Sequence, residues 1–292
     1  MSVRLEMLRA VRRSLSHLGD SSALVGERLR SQLAPEGGFC DRSGRGDLYY
    51  TVFGLEVLSA LGAPMPPEMA AYLLGFGLGG DLDLVHLCCL IRSRAIAGIP
   101  ASSADSAALA ARLESHRTPD GGYDSEPGAP ITSAYGCFLV AMAYEDLGVQ
   151  VPSGDTLLQC LRQLRARDGG FANQPNQALG LTPTTAAIVT LLRSLGENCP
   201  PGLEEWLLSR RHPESGFFAV PGAPIPDLLS TATALHALSC TGVSLDLLRE
   251  PCLDFVRSLW TGDGAFAGSW ADPTPDCEYT YYGLLALGHL SP

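Results

Sequence analysis

Two kinds of helical pattern alternate along the chain. In segments such as 155–167, leucines recur on one helical face and arginines on the other, which predicts a surface helix. In the segments between them nearly every position is apolar or small, which predicts helices that are buried on all sides. The buried segments are 49–61, 84–96, 134–147, 184–195, 230–238 and 279–287.

A short motif precedes most of the buried segments: an acidic residue, then small residues, then an aromatic residue. We call it the aromatic tag, and its five copies are 36–39, 120–123, 168–171, 214–217 and 263–266. The last four aromatics follow one another at 46 to 49 residues, whereas the first two are 84 residues apart. This spacing predicts six repeats, with a degenerate copy of the tag at 79–83.

The repeats are expected to close into a ring. An open stack of helical hairpins needs polar capping repeats at its ends, but the first and the last buried segments are both apolar. The simplest arrangement is therefore that the first and the last buried segments pack against each other. The sequence predicts an all-α fold with an N-terminal helix in residues 1–20 and, in residues 21–292, a single ring of about six hairpins with inner and outer helix layers.

Composition and charge narrow the classes of function. The 292 residues include 31 acidic side chains and 20 basic ones, all arginine, so the net charge of −11 is unfavourable for binding nucleic acid. No apolar run approaches the roughly 18 to 20 residues of a membrane span, and we expect a cytoplasmic protein. Most of the nine cysteines lie in apolar helical runs, which indicates reduced core residues.

The aromatic tags and the closed ring resemble the α/α toroid of protein prenyltransferase β subunits and of squalene and terpene cyclases. The resemblance spans 28–290, and the segments 47–55 and 275–282 are especially similar to two inner helices of the prenyltransferase β subunit. It implies an α/α toroid that binds an isoprenoid or other hydrophobic substrate, such as a prenyl diphosphate, in a central funnel. It also leaves open a helical partner subunit, as in that family.

The same resemblance locates a metal site that is largely replaced. The zinc-binding Asp of the family falls on Asp276, but Glu278 and Tyr50 stand where the family has Cys and His. Of the residues that hold the diphosphate in the family, Tyr279 matches, whereas the basic positions hold other residues. We therefore expect a prenyltransferase-like protein without the usual zinc. A divalent cation, Mg²⁺ or Zn²⁺, held by Asp276 and Glu278 remains open.

A second hypothesis is a terpene cyclase of class II type. In a ring of alternating helices the inner helices all begin at one end, which we call the mouth, and the acids Asp81 and Asp83 lie there in the second repeat. They resemble part of the DxDD motif of class II cyclases, which makes Asp83 the candidate general acid, with His86 as its hydrogen-bond partner. The alternative is that Asp81 caps the helix and His86 is an ordinary core residue.

Aromatic side chains of the inner helices are the candidates for contact with substrate. Together with His86, the residues predicted to bind substrate are Tyr49, Tyr50, Phe53, Tyr135, Tyr279 and Tyr282. The candidate catalytic residues are Asp81, Asp83, Asp276 and Glu278. Core packing explains most of these aromatics equally well, so a third hypothesis is a non-catalytic scaffold that binds a lipid or a protein.

Overall fold

The structure, a computed structural model, describes residues 2–291, and their regular secondary structure is almost exclusively helical. Two helices, α1 (Val3–Arg13) and α2 (Leu15–Leu18), and a 3₁₀ turn (Gly19–Ser21) precede the repeats. The repeats then supply, in chain order, α3 Ser22–Ser31, α4 Leu48–Leu61, α5 Met69–Gly75, α6 Leu84–Ile96, α7 Ser103–Glu114, α8 Ala134–Leu147, α9 Gly154–Gln163, α10 Thr182–Ser194, α11 Leu203–Leu208, α12 Leu228–Thr241, α13 Asp246–Ser258 and α14 Cys277–His289.

The even-numbered helices from α4 to α14 form a closed inner ring. Each packs against the next, and α14 packs against α4 as closely as consecutive members do. The odd-numbered helices from α3 to α13 form the outer layer. The predicted α/α toroid of six hairpins is confirmed, and all six predicted inner helices are present with boundaries shifted by at most a few residues.

The aromatic tags fasten each connecting loop to an inner helix. Their five aromatic side chains are fully buried or nearly so. In three repeats the backbone N–H of the aromatic residue donates to a threonine hydroxyl in the first turns of the inner helix, as from Phe39 to Thr51 at 2.9 Å. A glycine on that helix, Gly54, makes room for the ring, since a Cβ there would lie 2.5 Å from Phe39. The repeated tag is therefore explained by packing.

The second repeat replaces this device with an arginine. Its segment 79–83 has no aromatic residue, and Arg112 of α7 instead donates to the backbone carbonyls of Leu78, Gly79 and Leu82. The loop is thereby held in place without a buried ring.

All six inner helices begin at the mouth, and four of them begin with an aspartate. The side chains of these aspartates accept hydrogen bonds from backbone N–H groups in the first helical turn, which offsets the unpaired donors there. The four capping residues are Asp47, Asp83, Asp227 and Asp276. Helix capping thus accounts for the aspartates at these four helix starts.

The opposite end of the ring, which we call the floor, is closed by α1. Arg4 pairs with Asp146 of α8 at 2.9 Å, and the Nε of Arg13 donates to the carbonyl of Gly288 in α14 at 3.0 Å. From the same helix, Arg12 donates to a backbone carbonyl of α4, and Glu6 forms an ion pair with an arginine of α10. A Cβ at position 288 would overlap the carbonyl oxygen of Ala10, so α1 lies directly on α14. Among residues 2–291, no helix has the length and apolar character needed to cross a membrane.

Candidate functional site

The inner helices enclose a cavity of about 330 Å³ that extends from the mouth toward α1. Met7 of α1 contributes to its lining at the floor. Six aromatic residues form much of the wall, and their rings meet edge to face or tilted at centroid distances of 5.1–5.7 Å where they pair. They are Tyr49, Phe53, Tyr135, Phe138, Tyr281 and Tyr282. An aromatic wall suits an apolar chain or a cation.

Glu278 is the carboxyl group of the mouth that lines this cavity. It lies in the first turn of α14, and the hydroxyl of Tyr49 donates to its Oε1 at 2.7 Å. Burial raises the pKa of Glu278 to about 7. Near neutral pH this carboxyl therefore exists in both protonated and ionised forms, which allows it to donate or accept a proton.

Asp276 is turned away from the cavity, toward an arginine. Its carboxylate caps α14 by accepting from the backbone of Tyr279, and it also accepts from the Nε of Arg42 at 2.9 Å. Arg42 in addition binds Asp272 at 3.0 Å and lies 5.2 Å from the centre of the Tyr279 ring. Burial raises the pKa of Asp276, against the effect of Arg42.

His86 joins the first two inner helices at the mouth. Its Nδ1 lies 2.8 Å from the carboxylate of Asp83, and its Nε2 lies 3.2 Å from that of Asp47. The hydrogen bond with Asp47, together with the one to Asp83, raises the pKa of His86 to about 9. The imidazole is therefore protonated at neutral pH and donates to both carboxylates.

The two acids of the second repeat lie outside the cavity lining. Asp83, not Asp81, caps α6, and Asp81 is an exposed turn residue. The Asp83 side chain is 63% exposed. Partial burial by itself would raise the pKa of Asp83. The hydrogen bonds from His86 outweigh this effect and hold the pKa below its ordinary value. Asp83 is thus a solvated carboxylate at neutral pH, whereas a general acid must hold a proton.

The predicted aromatic residues divide into two groups. Four of them line the cavity: Tyr49, Phe53, Tyr135 and Tyr282. Tyr50 and Tyr279 lie at the mouth outside that lining, where Tyr279 donates to Asp272 at 3.2 Å. Contact of these residues with a substrate stays a prediction.

The donor set at the mouth does not fit a zinc site. Asp276 and Glu278 are engaged by different partners, Arg42 and Tyr49. Within residues 2–291, no group of three or more His, Cys, Asp or Glu side chains is placed to hold a metal ion. The geometry therefore gives the predicted divalent cation no support.

Sequence reasoning missed a group of charges at the floor. Arg92 of α6 lies 2.9 Å from Glu56 of α4, and both side chains line the cavity. Asp146 of α8 also lines the cavity, pairs with Arg4 of α1 and is close enough to Arg92 to raise its pKa. The side chains of Glu56 and Asp146 are only 3% and 2% exposed. Burial raises the pKa of Asp146 to about 6.

A signal for this group was present in the sequence. Glu56 is the one charged residue of α4, and Arg92 follows an apolar run in α6, and such residues are rarely buried unless they are paired. Their partnership could not be read from the chain, because it depends on which faces of α4 and α6 meet. Arg42, in the loop that closes the ring, was missed for the same reason.

Two histidines near the floor behave as core residues. His236 Nδ1 lies 3.0 Å from His289 Nε2, and both side chains are buried. Burial lowers the pKa of His236 to about 4, so the ring is neutral at pH 7. His236 lines the cavity as an uncharged polar group.

Comparison with known proteins places the chain in a family. The model of the prenyltransferase alpha-alpha toroid domain matches residues 5–91, 84–179, 132–199 and 191–291, so nearly the whole chain belongs to this family. No curated protein matches the chain significantly.

Two kinds of enzyme are among the solved structures of similar fold. The type II terpene cyclase MstE from Scytonema, with its product merosterolic acid A, has a TM-score of 0.63 at 15% identity over 95% of this chain and 97% of that one. The same cyclase with its substrate geranylgeranyl dihydroxybenzoate has a TM-score of 0.63 at 16% identity, again over 95% of this chain and 97% of that one. Candida albicans protein geranylgeranyltransferase-I with GGPP has a TM-score of 0.59 at 15% identity, over 83% of this chain and 82% of that one. At these identities the likeness shows the fold alone.

Proposed function

We propose that this member of the prenyltransferase toroid family binds an isoprenoid without a diphosphate in its central cavity and that Glu278 exchanges a proton with it. The observation that supports this most directly is a protonatable carboxyl group, hydrogen-bonded to Tyr49, at the edge of an aromatic cavity. The solved neighbours hold isoprenoid compounds, namely geranylgeranyl dihydroxybenzoate and GGPP.

The walls favour an apolar chain. The cavity volume of about 330 Å³ lies at the small end of the range for ligand sites. Rings such as those of Phe53 and Tyr282 line the cavity and present π faces that attract a positive charge. An isoprenoid that passes through a carbocation is stabilised by these faces more strongly in its cationic state than in its neutral state.

The charges at the mouth argue against a free diphosphate. Arg42 is bound by the carboxylates of Asp272 and Asp276, and His86 by those of Asp47 and Asp83. Each cation thus already faces two anions, and a diphosphate would add further negative charge without compensation. A neutral substrate avoids this repulsion.

The acidity of Glu278 suits an oxygen-containing substrate. A carboxyl group with a pKa of about 7 is too weak an acid for a bare alkene but matches general acid catalysis near neutral pH. Glu278 donates its proton to an oxygen such as that of an epoxide, the C–O bond breaks, and the electron pair of a neighbouring alkene forms a C–C bond to the cation. Loss of a proton to the Glu278 carboxylate ends the reaction, so substrate and product are isomers.

A class II cyclase that uses Asp83 is the weaker alternative. Asp83 is mostly exposed, its pKa is lowered by its bonds to His86, and it lies outside the cavity lining. A scaffold without catalysis remains the third candidate, and a helical partner subunit stays a prediction that co-purification experiments can test.

Binding is tested first by thermal shift with neutral isoprenoids and with prenyl diphosphates, each with and without Mg²⁺. We expect the neutral compounds to raise the melting temperature and the diphosphates to do so less, because ligands stabilise in proportion to their affinity for the folded state. Stabilisation only by a diphosphate with Mg²⁺ would overturn the neutral-substrate proposal.

Catalysis is tested by product analysis after incubation with epoxidised isoprenoids. Glu278→Gln is expected to lower turnover by a factor of about 10² to 10⁴, the usual contribution of a general acid. Asp83→Asn, at the rival acid, is expected to retain turnover. Loss of products in Asp83→Asn but not in Glu278→Gln would reverse the assignment, and absence of products in the wild type would leave the scaffold hypothesis.

A further inference from the structure

The floor of the cavity has an unusual composition for a site that holds a hydrocarbon chain. Glu56 and Arg92 lie about two helical turns below the start of α4 and α6, or about 12 Å from the mouth along the helix axis. Both line the cavity together with Thr190 and His236. The end of a hydrocarbon chain at this depth would meet charged and polar groups, and it would remove them from water without giving them partners.

The guanidinium group of Arg92 is only partly occupied. Its Nε and Nη2 atoms lie 3.0 and 2.9 Å from Oε1 of Glu56. Its Nη1 atom makes no hydrogen bond to any group in residues 2–291. Because Arg92 lines the cavity, these N–H donors are available to a ligand that reaches the floor.

The charges of the group around Arg92 balance. Four side chains alternate in sign across the helices α1, α8, α6 and α4, and they are Arg4, Asp146, Arg92 and Glu56. When all four are ionised their sum is zero. An additional anion would therefore lack a compensating charge, whereas an uncharged oxygen accepts from Arg92 without disturbing the balance.

We propose that the floor is a subsite for a neutral oxygen, a hydroxyl or a carbonyl, at the deep end of the ligand. This subsite rests on the proposed isoprenoid function. Together they describe a substrate that is an isoprenoid oxygenated at the end remote from Glu278. The oxygen accepts a hydrogen bond from Nη1 of Arg92, the chain lies along the aromatic wall, and the reacting end lies beside Glu278 at the mouth.

The alternative is that the same charges only fasten helices together. Arg92 joins α6 to α4, and Asp146 joins α8 to α1, so both roles predict a loss of stability when a partner is removed. Only the ligand subsite predicts a preference between two ligands that differ by one oxygen.

The test is equilibrium competition between farnesol and the C15 hydrocarbon of the same skeleton, delivered from cyclodextrin to the full chain. We expect wild type to bind the alcohol at least about tenfold more tightly, as hydrogen bonds to charged groups usually give. Equal binding of both compounds would overturn the subsite and leave the isoprenoid proposal intact. Binding of neither would overturn both.

The location is tested with the double variant Glu56→Gln/Arg92→Met, which removes both charges together and so leaves neither unpaired. We expect the preference to disappear while the hydrocarbon still binds. The matched control is Arg162→Met/Glu197→Gln, which removes a partly exposed ion pair of 2.7 Å between α9 and the loop after α10 and should keep the preference. A preference that persists in the Glu56/Arg92 variant would overturn the assignment. If that variant does not fold by circular dichroism, Glu278→Leu, which removes the polar group at the mouth, tests the location instead. The preference should persist in Glu278→Leu, and its loss there would overturn the assignment to the floor.

Discussion

The mouth and the floor of the ring are both built from ion pairs, but the pairs differ in their exposure to water. At the mouth, His86 and Arg42 are each about one third exposed and each face two carboxylates. At the floor, the carboxylates of Glu56 and Asp146 are almost fully enclosed, and α1 lies over them. Solvent screens the first set and not the second.

The comparison separates two uses of charge in one fold. Mouth acids satisfy the N–H groups at helix starts, a role that an exposed residue fulfils at low energetic cost. Floor charges are desolvated, and such charges rarely add stability over an apolar alternative. Their presence at the end of an aromatic cavity is therefore better explained by ligand recognition than by folding.

Removal of one charge should show the largest difference between the two regions. Arg92→Met leaves Glu56 buried without a partner, and we expect a loss of about 3–5 kcal/mol in the free energy of unfolding. His86→Asn at the mouth leaves its carboxylates in contact with water and should cost less than about 1 kcal/mol. Urea unfolding of both variants measures the difference.

The double variant Glu56→Gln/Arg92→Met serves as the control for this prediction, because it removes the unpaired charge. It should regain most of the stability that Arg92→Met loses. If it is as unstable as the single variant, packing of the arginine side chain explains the loss, and the contrast between buried and exposed pairs fails.

Backbone contact gives the second difference. Gly288→Ala places a Cβ on the carbonyl oxygen of Ala10, and backbone cannot move aside without shifting α1. We expect a loss of about 1–3 kcal/mol in thermal unfolding, despite the higher helix propensity of alanine. Gly46→Ala at the mouth meets only the end of the flexible Glu36 side chain, at 2.8 Å, and should change stability by no more than about 0.5 kcal/mol.

Protease sensitivity of the N-terminal segment shows whether displacement of α1 causes the stability loss of Gly288→Ala. Gly288→Ala should expose α1 to cleavage, whereas Gly46→Ala should not. Unchanged cleavage in a destabilised Gly288→Ala variant would contradict the view that α1 seals the floor.

The mouth was far more predictable from the sequence than the floor. The tags, the inner helices and the capping aspartates are encoded locally, in residues such as Phe39 and Asp47 that follow a period of the chain. The floor depends on contacts between distant segments, as between Arg4 and Asp146, which no local pattern specifies. At the mouth, a motif of two acids indicated a general acid at Asp83, which the structure places as an exposed helix cap, so this role stays a prediction.

The smallest effect that we predict is a pH dependence confined to the mouth. Because its bonds to Asp47 and Asp83 raise the pKa of His86 to about 9, from an ordinary value of 6.5, the folded state holds this proton more tightly than the unfolded state. The resulting stabilisation is complete below pH 6.5 and disappears as the pH rises through 9. Urea midpoints of wild type and His86→Asn should therefore differ at pH 6 and converge by pH 10.

Since the imidazole ring of His86 is partly exposed, added salt should reduce the difference at pH 6. A difference that is constant with pH would mean that His86 contributes by packing, and the mouth would then resemble the floor in depending on contacts that salt does not screen.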